Sequence, residues 1–146
     1  MLYALAGATA WCWYRRIAEA LPRWPARVVA LVLLAAGMLA FVQSGLVAFH
    51  EIWAGLLVAL SLALRRPGRW VEAAAIGALA MLIRETAALY VMVMAVLAFA
   101  EGHRREAAGW AAALALFAVA LAAHAVARSE ERRVGRECSS RWSPGQ

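Results

Sequence analysis

Six apolar runs separated by short arginine clusters leave few folds open to this chain. The runs cover about residues 1–14, 26–42, 46–64, 70–83, 86–100 and 107–127. Between them lie Arg15, Arg16, Arg23 and Arg27, then Arg65, Arg66 and Arg69, then Arg104 and Arg105. Of the 146 residues 65% are hydrophobic, and the mean hydropathy is +0.67. Soluble domains sit nearer about 45–50% apolar, and a chain this short has no single core able to hide the excess. The expectation is an all-α, polytopic integral membrane bundle of about six hydrophobic segments, some shorter than a full span. The formal charge of +6 is not a nucleic-acid signal, because the arginines fall where loop charges of a membrane protein fall. Cys12 and Cys138 are the two cysteines, and neither lies in a metal or redox spacing.

The arginines also set the topology. About 20 residues cross the hydrocarbon core; the runs 46–64 and 107–127 meet that length, 26–42 is a little short, and 70–83 and 86–100 are clearly so. Fusing the last two into one long span would put Arg69 on one side and Arg104 and Arg105 on the other, against the positive-inside rule. A hairpin with Arg84 and Glu85 at its tip removes the conflict. All three basic clusters then face the cytoplasm, with Gln43-Ser44-Gly45 and Arg84-Glu85 opposite. Pro22 and Pro25 interrupt the first connection, and Pro67-Gly68 makes the second a tight turn. The chain has neither Lys nor Asp and is rich in Ala and Arg, which suits a GC-rich bacterial gene. The expected location is the bacterial inner membrane, crossed several times, with membrane lipids as partners and no nucleic acid.

The last stretch differs in kind. Residues 128–146 read RSEERRVGRECSSRWSPGQ, polar and without helical period. They resemble the translation of a common short-read sequencing adapter, departing from it at Arg136, Ser139, Gly145 and Gln146. Five arginines there would also lie on the outer side. The expectation is that 1–127 is a fragment of a transmembrane helical domain and that 128–146 is a non-native, disordered tail.

Residues able to do chemistry gather at the outer side. His50 and Glu51 precede Trp53 at the start of one run, and Arg84 and Glu85 form the hairpin tip before Thr86 and Tyr90. Ionisable groups at membrane depth are costly and either pair or line a functional cavity. Arginine suits a phosphate because its planar fork donates two parallel hydrogen bonds. Glu51 and Glu85 could orient it, hold a divalent metal or act as a base. The same residues serve equally as a plain interhelical salt bridge, Glu51 to Arg84. His103 and His124 read as ordinary polar positions. The tryptophans, among them Trp11, Trp13, Trp24, Trp53, Trp70 and Trp110, fall mostly near run ends, as in an interfacial belt. Gly37, Gly55, Gly77 and Gly109 suit close helix packing. No phosphate-binding loop, dinucleotide fingerprint or zinc motif occurs, so no cofactor and no metal centre are expected.

The stretches HEIWAGLLVALSLALRRPGRW and AMLIRETAALYVMVMAVLAFAEGHRREAAGWAAALALFAVAL resemble bacterial polytopic glycosyltransferases of the GT-C type and their uncharacterised relatives. The likeness spans roughly residues 28–125 and rests on the HE-x-W and RE-x-A pieces within a diffuse pattern of short paired helices. It implies transfer of a sugar from a polyprenyl-phosphate donor at the outer face. Arg84 would then lie nearest the lipid phosphate, with His50, Glu51 and Glu85 orienting it or binding the acceptor. In that class the catalytic acid usually sits in a first outer loop. No Asp is present here, so that loop and the catalytic acid are expected to be missing from a fragment truncated at both ends. A transporter or flippase-like subunit, or a non-catalytic membrane scaffold, are the alternatives from other classes.

Overall fold

The computed structural model describes residues 1–41, 50–66 and 68–141, with side chains over 1–39, 50–66 and 68–129. Among these residues the chain is all-α, with six helices and no strand. They are α1 (Leu2–Ala20), α2 (Trp24–Phe41), α3 (His50–Leu64), α4 (Val71–Ile83), α5 (Ala87–Ala100) and α6 (Arg104–Arg141). Each apolar run became one helix. The turn expected at 43–45 lies outside the described residues.

The ends of the helices follow from local chemistry. α1 runs past its apolar stretch through Arg15, Arg16 and Glu19, and its last carbonyls are met from the next helix. Arg27 donates from Nη2 to the Ala18 and Leu21 carbonyls, both at 3.1 Å, and from Nε to Leu21 at 3.3 Å. That satisfies acceptors a helix end leaves open. Between α3 and α4, the Arg69 N–H donates to the Arg66 carbonyl at 2.9 Å and Gly68 takes φ 79°. The left-handed region is open to glycine at little cost. α5 ends in a Schellman closure: His103 N–H donates to Ala98 at 2.9 Å and Gly102 N–H to Phe99 at 3.0 Å, with Gly102 at φ 81°.

Arg84 is extended (φ −145°, ψ 118°) and stops α4. The chain then folds back as a hairpin. A Cβ built on Gly77 would lie 3.4 Å from both Tyr90 Cε1 and Val91 Cγ2, positions well away from the turn on α4 and α5. One straight helix over 70–100 would keep those residues far apart.

Buried apolar residues on several helices hold the first compact unit, Met1–Leu114. In one cluster, Leu2 and Ala6 of α1 pack on Leu56 of α3, with Leu5, Met38, Ile52 and Trp53 around them. α1 and α3 run parallel, since Leu2 meets the first half of α3 while Trp13 Nε1 donates to Ala59 further along it, at 3.1 Å. On α4 and α5, Ala73, Ala80, Met81, Val91, Met94 and Ala98 are buried, as is Trp110 from the first turns of α6.

Trp110 corrects the belt reading: it is wholly buried. Its indole fits over Gly77, which spares it a side chain on that face. Gly109 likewise lies beneath the ring of Trp70. Among the described residues nothing stands within 4 Å of a Cβ built at Gly37 or Gly55.

From Ala115 the chain forms a second unit, the continuing turns of α6. The tail expected to be disordered from residue 128 is helical as far as Arg141. Arg and Glu dominate Arg128–Glu137 and are good helix formers, so propensity carries the helix on where no apolar period does. Residues 142–146 lie outside the description. Among the described helices, α6 over Arg104–Ser129 is the one long and apolar enough to cross a membrane, its most apolar 18-residue window having a mean hydropathy of 2.0. Apolar but shorter are Trp24–Leu39, His50–Leu64, Val71–Ile83 and Ala87–Ala100.

Candidate functional site

The start of α3 and the α4–α5 turn meet. Arg84 Nη2 donates to Glu51 Oε1 at 2.7 Å, with side chains 47% and 54% exposed. The pair stands at the mouth of a groove of about 520 Å³ between α3 and α5. Ala54, Gly55 and Val58 form one wall, and Ala87, Leu89, Tyr90 and Val93 the other. Gly55 leaves the groove open because it has no side chain to fill it. Polarity is confined to one end, at Glu51, Arg84 and Thr86, and to the Tyr90 hydroxyl.

Of the four residues read as a site from the sequence, the fold thus joins Glu51 and Arg84 directly. His50 and Glu85 flank them and are exposed, and among the described residues neither forms an ion pair. Glu51 has its charge answered by an arginine, and no three His, Cys, Asp or Glu side chains cluster as a metal site among the described residues. What the arrangement offers chemically is a cationic fork at one end of an apolar slot.

Tyr90 connects this groove to the interior. Its hydroxyl lies 2.9 Å from Ser61 Oγ, which is buried and donates to the Ala73 carbonyl at 2.6 Å. Its ring meets Trp110 edge-on at 6.0 Å between centroids. Trp110 Nε1 donates to Glu106 Oε1 at 3.3 Å, and the same oxygen accepts from Arg65 Nε at 2.7 Å.

The second polar region is the opposite end of the bundle, where the basic connections converge. Arg65 bridges two carboxylates, Glu106 and Glu101, the latter from Nη2 at 2.6 Å. The Arg65 hydrogen bond, and its charge, hold the Glu101 carboxyl below its ordinary value of 4.5, with His103 adding to the effect. Arg16 donates from Nε to the Ala63 carbonyl at 2.9 Å and from Nη2 to that of Arg65, closing the C-terminus of α3. Arg66 reaches Glu19 at 3.1 Å.

Sequence reasoning counted Arg65 only as a loop charge and passed over Glu106. The available signal was the Glu106–Trp110 spacing of four residues on one face of α6, a carboxylate one turn from a large aromatic. No family model, curated protein or solved structure matches the chain.

Proposed function

We propose that this chain is part of a polytopic membrane glycosyltransferase that takes its sugar from a polyprenyl-phosphate carrier, with Arg84 holding the carrier's phosphate. The observation that carries the reading is the apolar groove with Arg84 at its mouth. A lipid phosphate has the matching form, an isoprenoid tail for the slot and a charged head for the guanidinium. Glu51 then holds Arg84 pointing across the mouth. An ion pair this exposed is worth about 0.2–1 kcal/mol in water, so a phosphate with two oxygens to offer can displace the carboxylate. Thr86 lines the mouth beside the pair, and the exposed His50 and Glu85 adjoin Glu51 and Arg84 in the chain, on the side where the sugar would lie.

A membrane setting is supported by what the helices leave uncovered. Val32, Leu33, Leu82, Leu89, Val96, Phe99, Leu116 and Val119 are all more than half exposed, a surface suited to lipid chains rather than water. Depth supports the site as well. α4 has 13 residues, which span about 20 Å against a hydrocarbon core of about 30 Å. With the basic end at the cytoplasmic interface, the Arg84–Glu51 pair lies beneath the opposite surface. Charged groups at such depth pair or line a functional cavity, and this pair opens onto the groove. The transporter alternative calls for a polar path through the bundle, and the walls of this groove are apolar.

Native mass spectrometry of the detergent-solubilised chain with polyprenyl phosphate, and with the corresponding polyprenol, tests the reading. The phosphate is expected to be retained and the alcohol much less. Arg84→Lys keeps the charge but loses the fork, and should weaken phosphate retention about tenfold, a charge-assisted hydrogen bond being worth about 1.5–3 kcal/mol. Gly55→Leu fills the slot and should weaken both lipids. Equal retention of alcohol and phosphate, or an Arg84→Lys chain that binds like the unsubstituted one, would overturn the assignment.

A further inference from the structure

At the basic end, a recess of about 260 Å³ separates the second half of α1 from the α3–α4 turn. Arg15, Arg66 and Arg69 line it, over a floor of Ala63 and Leu64. The arginines of this end differ in how far they are committed. Arg16 spends its donors on the Ala63 and Arg65 carbonyls, Arg27 on those of Ala18 and Leu21, and Arg65 on Glu101 and Glu106. Among the described residues, Arg66 and Arg69 touch carboxylates only through exposed pairs, Glu19 at 3.1 Å and Glu72 at 2.8 Å. Arg15 is exposed and, among the described residues, meets no carboxylate. Three guanidinium groups therefore face one acidic side chain, Glu72, in the recess lining.

The surroundings point to a membrane headgroup rather than a soluble anion. Trp11 also lines the recess and stacks on Tyr14 with ring centroids 5.8 Å apart, although both are largely exposed, at 62% and 44%. Tryptophan and tyrosine settle where apolar chains give way to headgroups. A phosphodiester there would add the negative charge the recess lacks, leaving its acyl chains against the apolar flank of α1. Soluble phosphate would gain nothing from the aromatic pair.

We propose that the recess between α1 and the α3–α4 turn, lined by Arg15, Arg66, Arg69 and Trp11, binds the phosphodiester headgroup of an anionic phospholipid. The site rests on the membrane reading above but not on the Arg84 groove, which lies at the other end of the bundle. It anchors the α3–α4 turn at the cytoplasmic interface, so the short helices leave their deficit of length at the opposite face.

The test is competitive lipid retention by the full chain. Detergent-solubilised protein is mixed with phosphatidylglycerol and phosphatidylcholine of matched chains, and retained lipid is counted by native mass spectrometry. Phosphatidylglycerol should be preferred. Arg15→Gln and Arg69→Gln should each lower its retention about tenfold or more, the range for hydrogen bonds to charged groups. Arg23→Gln, outside the recess, should change it little. Equal retention of the two lipids, loss in Arg23→Gln as large as in Arg15→Gln, or displacement by inorganic phosphate at concentrations similar to the lipid would overturn the proposal. Alkaline carbonate extraction of the chain from membranes separates the two failures. A chain that washes off refutes the membrane reading and this site with it, whereas a retained chain without headgroup preference refutes this site alone.

Discussion

Gly77 and Gly55 are both helix-interior glycines, yet the same substitution should stabilise at Gly55 and not at Gly77. Replacing glycine by alanine within a helix is favourable by about 0.8–1 kcal/mol from propensity alone. At Gly55 nothing among the described residues lies within 4 Å of the new Cβ, so Gly55→Ala keeps that gain. At Gly77 the Cβ would fall 2.9 Å from Trp110 Cζ3, with Tyr90 and Val91 at 3.4 Å. The indole has little room to yield. It is wholly buried, held by its Nε1 bond to Glu106 and flanked by the Tyr90 ring. Overpacking of this kind costs about 1–3 kcal/mol, which cancels or exceeds the propensity gain. Gly77→Ala should therefore be less stable than Gly55→Ala by about 1–3 kcal/mol. Thermal or dodecyl sulfate unfolding in detergent, followed by tryptophan fluorescence, measures the difference. If Gly77→Ala proved as stable as Gly55→Ala, the packing of Trp110 across the α4–α5 hairpin would be refuted.

Two further outcomes concern the Arg65 hub. Arg65→Met strands Glu106, whose side chain is 5% exposed, and should destabilise the bundle by about 3 kcal/mol, the scale of a broken buried pair. Adding Glu106→Leu should recover most of that in the same unfolding assay, and a double variant no better than the single would contradict the pairing. Acid should loosen the Arg65–Glu101 contact. The folded-state pKa of Glu101 is depressed, so its contribution is present above the ordinary value of 4.5 and is lost as pH falls through the lower folded value. Unfolding midpoints should hold down to that range and then drop, and Glu101→Gln should lessen the drop.

The sequence carried the helices well because each apolar run is bounded by arginines or turn residues, and those are local signals. The α4–α5 hairpin was legible because fusing the runs would have put like charges on opposite sides. The meeting of Glu51 with Arg84 was legible because both stand at the same expected end of neighbouring apolar runs. Less local features were hidden. Arg16 and Arg65 read as loop charges, but their donors are used against carbonyls and carboxylates of distant segments. Trp110 looked interfacial because it lies near a run end, and its burial depends on the gap that Gly77 leaves on another helix. The helical continuation beyond Arg128 was missed because periodicity, rather than the propensity of Arg and Glu, was the signal followed.

The central claim is that the basic connections lie on the cytoplasmic side of a membrane and the Arg84–Glu51 mouth on the other. Single cysteines test it most directly, Arg66→Cys or Arg84→Cys in a chain with Cys12 and Cys138 replaced by alanine, treated in intact spheroplasts with a membrane-impermeant thiol reagent. Position 84 should be labelled, and position 66 only after the membrane is lysed. Labelling of position 66 in intact spheroplasts, with or without position 84, would contradict the account.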